Sequence, residues 1–356
     1  MCARALLLFL ALFLSGCAGV GPQALKEARF NYNLAVQLSS NEQMLLNLVR
    51  LRYRDNPVFL EITNISTQFS LSGGVNASAN VKEAYPDTYS FGLGLSYAEK
   101  PTISFTPLHG EQFVRRLLSP IPLEHLVLLC NSGWRVDRIL RLCVQRIQGT
   151  KNAPTASGPT PELKPEFEEF LKLAALMQRL HRQKYIDFGY KRFKDHLYPA
   201  LLVHREASTH PDFLKLRKML KLGDYNFYPL TPEMASESDR FITVQTRSLI
   251  GVLFYLSQGV IPPEEDFKKG KVTLTRFPDG APFDWRSLLG DLFVVRVSKQ
   301  PPPEAAVAVH YRGHWFYIAD DDLNTKSTFV LLGQLFVLEA GKEKGLVPLL
   351  TIPIGQ

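Results

Sequence analysis

The side chains able to do chemistry are few and scattered. His310 and His314 stand four apart, a spacing that would let a helix hold a metal. The residues around them, Ala305 to Tyr311 and His314 to Ile318, instead read as a two-residue hairpin about Arg312-Gly313. Tyr311 would then face His314, and His310 would face Trp315, which puts the two histidines on opposite faces of the sheet. A shared metal is not expected there. His204 and His210 could approach each other across a turn, but the intervening spacing is not specific. Asp320-Asp321-Asp322 lacks the alternating ligands, the glycine and the distal glutamate of a calcium loop, and fits acidic capping of the helix that follows. No Gly-x-Ser-x-Gly elbow, phosphate-cradling Gly-Lys-Ser/Thr loop or His-Glu-x-x-His motif is present. The sequence therefore points to no catalytic residue, no metal and no cofactor.

The thiols are more informative. Cys130 and Cys143 fall on apolar helical patterns about 13 Å apart along the chain, beyond the roughly 7 Å that a disulfide allows, so two buried free thiols are expected. Cys17 is different. Arg4 precedes an unbroken apolar run, Ala5 to Leu14, and Leu14-Ser15-Gly16-Cys17 follows. A ten-residue helix spans about 15 Å, half of a ~30 Å hydrocarbon core, so the run reads as a signal-peptide segment rather than a membrane span. The other reading is an ordinary secretory signal with an accidental cysteine. The leader resembles the lipobox signal of bacterial lipoproteins. That resemblance implies removal of residues 1–16, a diacylglyceryl group on Cys17, and anchoring by more than one acyl chain at ~0.8 kcal/mol per buried methylene. With Ala18 rather than Asp next to the cysteine, it also implies the outer membrane, facing the periplasm. Only the leader carries the resemblance.

Composition sets the rest in proportion. The chain has 356 residues, 46% hydrophobic and 21% charged, with net charge +7 and four cysteines. That is enough for a large core and too little cysteine for a disulfide scaffold. Basic residues gather at Lys172, Arg179, Arg182 and Lys184, at Lys191, Arg192 and Lys194, and at Lys215, Arg217, Lys218 and Lys221. A solvated face is the simple reading; contact with anionic headgroups or envelope polymers is the functional one. The compartment, not the charge, argues against nucleic acid.

The elements that must position these residues follow an α+β pattern without regular βαβ alternation. Gln23 to Arg54 reads as a long helix that Ser39 to Glu42 could interrupt, and residues 58–106 as β. Thr106-Pro107 looks like a helix cap before Leu108 to Leu118, and two helices follow, Pro122 to Cys130 and Trp134 to Ile147. Residues 149–165, rich in Pro, Gly, Thr and Ser, suggest a linker or long loop between a region 17–148 and an α+β domain 166–356. In the latter, helices are expected at Glu166 to Gln183, Asp212 to Leu222, Ser248 to Gln258 and Ser327 to Glu339. Strands are expected at Tyr185 to Tyr190, Leu197 to His204, Phe241 to Thr246, Leu292 to Val297 and Leu346 to Ile354.

One segment stands apart. From Phe69 to Val81 the odd positions are Phe69, Leu71, Gly73, Val75, Ala77, Ala79 and Val81, and the even positions are Ser, Gly or Asn. After a break containing Pro86-Asp87 the same parity resumes: Tyr89, Phe91, Leu93, Leu95 and Tyr97 are odd, with Ser, Gly and Ala between them. Period two means strands with one apolar and one small, polar face. Strands at a wet surface normally carry Lys or Glu there and at open edges, and these do not. Transmembrane strands need ~9–11 residues of this kind, with aromatics near the interfaces. One hairpin cannot close on itself, so membrane entry would need at least ~8 strands from several copies. The plainer alternative is a hairpin whose odd face packs on its own domain or on a partner.

Two functional expectations result. One is a non-enzymatic structural or assembly component of the cell envelope, held to membrane lipid through Cys17, donating its hairpin to a homo-oligomeric pore or binding other envelope proteins. The other is a lipid-anchored, periplasm-facing binding protein or hydrolase, which would need a pocket uniting His204, His210 or Asp320 with other polar groups.

Overall fold

The computed structural model describes residues 20–80, 88–232 and 239–340, and has the mixed α+β fold expected. It divides into two units: residues 58–109, and the remainder of the chain. Among the described residues no helix is long and apolar enough to cross a membrane.

The larger unit begins with α1, Val20–Arg52. Ser39 to Glu42 does not interrupt it. Its last three turns bury Leu45, Leu48, Val49 and Leu51, spaced for one helical face, whereas Phe30, Leu34 and Leu38 are exposed. The C-terminal end is tied down by polar groups. Arg52 donates to Thr160 Oγ1 at 3.0 Å, and Tyr53 Oη donates to Asp266 at 2.7 Å. Asp55 accepts from Tyr311 Oη at 2.5 Å and from Arg312 at 2.8 Å. Arg54 closes the helix in the left-handed region, at φ 61°.

Three helices come next in this unit: α2, Glu111–Leu118; α3, Leu123–Asn131; and α4, Val136–Cys143. Two boundaries differ from the sequence reading. Thr106-Pro107 does not cap a helix; the preceding strand runs to Pro107, and α2 starts after Gly110, whose φ of 101° and ψ of 163° suit only glycine. Trp134 to Ile147 is not one helix either. α4 stops at Cys143, because Val144–Ile147 (β3) pairs with Ile242–Thr246 (β8). Register in a sheet outweighs a local helical period here.

β3 lies in a six-stranded sheet with Thr150–Lys151 (β4), Ile186–Phe193 (β5), His196–Val203 (β6) and Phe227–Thr231 (β7), in the order β4-β3-β8-β7-β6-β5. β7 and β8 are parallel and the other pairs antiparallel. Three helices pack in this unit: α5, Glu168–Arg182; α6, Pro211–Leu220; and α7, Leu249–Ser257, capped by Ser248. Residues 149–165 are a loop with buried content: β4, a 3-10 turn at Pro154–Ser157, and Asn152, Ala153, Ala156 and Thr160 in the core. The short helices α8, Glu264–Lys268, and α9, Arg286–Leu289, had no clear sequence signal.

The second sheet has the order β10-β11-β9, from Arg296–Ser298 (β9), Ala305–Tyr311 (β10) and His314–Ala319 (β11). Of the expected strand at Leu292 to Val297 only Arg296 and Val297 lie in β9, since the Leu292 and Phe293 N–H groups donate back to the Leu289 carbonyl, both at 2.8 Å. The turn at Arg312-Gly313 pairs Tyr311 with His314 and His310 with Trp315, as expected. The chain ends, among described residues, with α10, Leu323–Ala340. Asp322 accepts from Thr325 N at 3.0 Å and from its hydroxyl at 2.7 Å, which is the capping role read from the acidic run. The strand expected at Leu346 to Ile354 lies outside the described residues.

Candidate functional site: an unpartnered β-ribbon

Residues 58–109 form one feature. β1, Leu60–Asn80, pairs antiparallel with β2, Thr88–Pro107. At about 3.3 Å per residue each strand runs about 65 Å, several times an ordinary strand. The first pairs run Leu60↔Pro107 to Ile62↔Phe105; an irregularity between Ile62 and Asn64 then shifts the register by one. From Asn64↔Ser104 to Asn80↔Thr88 the ladder is unbroken.

That register keeps parity. Odd positions meet odd positions: Phe69↔Glu99, Leu71↔Tyr97, Gly73↔Leu95, Val75↔Leu93, Ala77↔Phe91 and Ala79↔Tyr89. Even positions likewise meet: Ser70↔Ala98, Ser72↔Ser96, Gly74↔Gly94, Asn76↔Gly92 and Ser78↔Ser90. A one-residue slip would have mixed the two sets. All the hairpin residues singled out in the sequence thus fall on one face of one ribbon, except Val81, which with Cys17 lies outside the described residues.

Charge is as regular as polarity. The only charged residues of the two strands are Glu61, Glu99 and Lys100. The pairs from Ser70↔Ala98 to Asn80↔Thr88 hold none, an uninterrupted stretch of eleven. Among the described residues this sheet has two strands and no third, so each strand has an unpaired edge. Near the open end of the ribbon Leu60, Ile103 and Phe105 are exposed. Two-stranded ribbons are marginal in water, and bare edges with no charge are templates for further pairing.

The polar groups of the larger unit do not converge on a reaction. His204 Nε2 lies 2.7 Å from Asp187 Oδ2, and His181 Nε2 lies 3.5 Å from the other oxygen. His210 accepts from Asp212 N at 3.2 Å at the start of α6 and packs at a tilt against Tyr185, 4.3 Å between centroids. Asp320 instead accepts from Lys326 at 2.5 Å. His310 packs on Trp315, and His314 faces Glu265 at 3.3 Å. Among the described residues no group of three such side chains is placed to hold a metal ion. Cys130 and Cys143 are both free and buried; burial pushes the Cys130 thiol up to about 12 and Cys143 higher still. Neither is a nucleophile at neutral pH.

Sequence reasoning missed one arginine cluster and one buried arginine. Arg135, Arg138 and Arg141 line a cleft of about 80 Å³ with Asp137, Asp291 and Asn324. Arg135 and Arg141 are paired with Asp137 and Asp291 at 2.7 Å, and Arg138 donates to Asn324 at 3.0 Å. Their i, i+3, i+6 spacing, with Asp137 beside them, was a legible helical stripe, but Asp291 and Asn324 come from distant positions. Arg247 is wholly buried with no carboxylate. It donates to the carbonyls of Val144 and Asn152, and its guanidinium lies 4.0 Å from the Tyr255 ring centre. Desolvation lowers it to about 10, still charged at neutral pH. These are ties within the fold.

No protein-family model, curated protein or solved structure matches this chain. The functional reading therefore rests on the residues themselves, and chiefly on the ribbon.

Proposed function

We propose that this chain is a lipid-anchored, non-enzymatic component of a bacterial outer membrane, and that several copies each donate β1 and β2 to one shared pore. Cys17, following Leu14-Ser15-Gly16, would carry the acyl chains. The observation that carries the reading is the charge-free ladder of eleven pairs with constant parity and two open edges. Its length fits the task. Eleven residues span about 33 Å along a strand, and at the usual tilt of about 40° that becomes about 25 Å, the height of the apolar band on a membrane barrel. Tyr89 and Tyr97 stand near the two ends of that band, where aromatic girdles lie. Glu99 and Lys100 come immediately after it, where strand and lipid would part.

Open edges explain why copies would assemble. A single ribbon in lipid leaves two rows of backbone groups unsatisfied, each group costing several kcal/mol. Edge-to-edge pairing closes both rows, and at least ~8 strands, hence at least ~4 copies, complete a barrel.

The experiment has two arms. A fatty-acid probe fed to cells should label the wild type and leave Cys17→Ser unlabelled; equal labelling removes the anchor. Protein extracted in mild detergent should form rings of uniform size; a monomer in every detergent tried removes the pore.

A further inference from the structure

Between the irregularity at Ile62/Asn64 and the far end of the ladder the even face of the ribbon carries one charge, and its place is specific; Glu61, opposite Thr106, falls on the same face past the irregularity. From the irregularity at Ile62/Asn64 to the end of the ladder, the even positions are Asn64, Ser66, Gln68 and the Ser, Gly and Asn run of β1, facing the matching run of β2, with Thr102 and Ser104 nearer the open end. Lys100, opposite Gln68, is the exception. Glu99, its neighbour, belongs to the odd set, opposite Phe69.

We infer that Lys100 sets the ion preference of the pore, as a ring with one lysine from each copy on the lumen face. The inference rests on the pore reading above. If the odd face meets lipid, the even face meets the water inside. A lumen lined by Ser, Asn, Thr and Gly has hydroxyl, amide and backbone dipoles and no net charge. Such a wall passes small hydrophilic solutes without sorting them by sign. A single lysine ring in it is then the one fixed charge that an ion meets along that stretch, with Glu61 lying past the irregularity. Lys100 also stands within the ladder: twelve pairs follow it toward Asn80↔Thr88 and four toward Asn64↔Ser104, so barrel wall would extend on both sides. A confined ring raises the local concentration of counter-ions, here anions.

The test is the reversal potential of the full, acylated protein in a planar bilayer across a KCl gradient. Wild type is expected to favour chloride over potassium. Lys100→Glu is expected to reverse the sign. Lys100→Gln, a milder change, should bring the reversal potential close to zero, and Gln68→Lys, which doubles the ring at the same level, should move it further toward chloride. Channels whose reversal potential is unchanged in Lys100→Gln and Gln68→Lys would overturn this assignment while leaving the pore standing. No channels from wild-type protein would overturn both.

Discussion

Leu93→Arg should abolish ring formation and conductance without unfolding the rest of the chain. Leu93 pairs with Val75, the middle rung of the charge-free ladder, which in a membrane barrel lies near the bilayer midplane. Arginine on the lipid face at that depth costs about 2–4 kcal/mol. A barrel repeats the change in every copy, so at least ~4 copies raise the cost to roughly 8–16 kcal/mol per ring. That is far beyond what a reversible assembly withstands. Ser96→Arg is the control. It adds the same charge to the same strand, at an even position opposite Ser72. Rings should persist there, and anion preference should grow. Ring yield in detergent, bilayer conductance and the thermal melt of both variants decide it. A hairpin packed on a protein partner through its odd face would also reject Leu93→Arg, but would show no conductance in wild type.

The second large effect concerns the body. Arg247→Met should lower stability by about 3 kcal/mol, a fall in melting temperature of about 5–10 °C for a unit of this size. The side chain is among the largest fully buried ones, and its bonds run to main-chain carbonyls, not to an acid. Methionine fills much of the volume but leaves the Asn152 carbonyl without its charged donor. Asn152 complicates the sum in a useful way. Its side-chain amide donates to the carbonyls of Arg141 at 2.9 Å and Val144 at 2.6 Å, and Arg247 reaches the same two. Asn152→Ala and Arg247→Met should therefore be strongly non-additive. A loss below about 1 kcal/mol for Arg247→Met would mean that its burial costs as much as its bonds return.

How far these features could be read in advance differs by scale. The ribbon was legible because its signal needs no partner: period two, constant parity across the break, and missing charge are all in residues 69–97. The His310/His314 separation was legible because Arg312-Gly313 names its own turn. Boundaries were not. Thr106-Pro107 carries a genuine capping signal, but Pro107 pairs with Leu60, forty-seven residues earlier, and the pairing prevails. The helix from Trp134 loses its last turn for the same reason, to a strand nearly a hundred residues later. Arg247 sits between a strand and a helix cap with nothing local to say that it is buried. Its meaning comes from carbonyls brought together by the fold.

Which face of the ribbon meets lipid decides between pore and partner, and site-directed spin labelling from Tyr89 to Tyr97 in a reconstituted bilayer reads that directly. The buried thiols of Cys130 and Cys143 stay protonated at labelling pH, so engineered cysteines can be addressed alone. Phe91, Leu93 and Leu95 should be open to oxygen and closed to a water-soluble nickel complex, with Ser90, Gly92, Gly94 and Ser96 the reverse. Equal access to the nickel complex at both sets, or protection of the odd set from both reagents, would place the ribbon in water or against protein and contradict the pore.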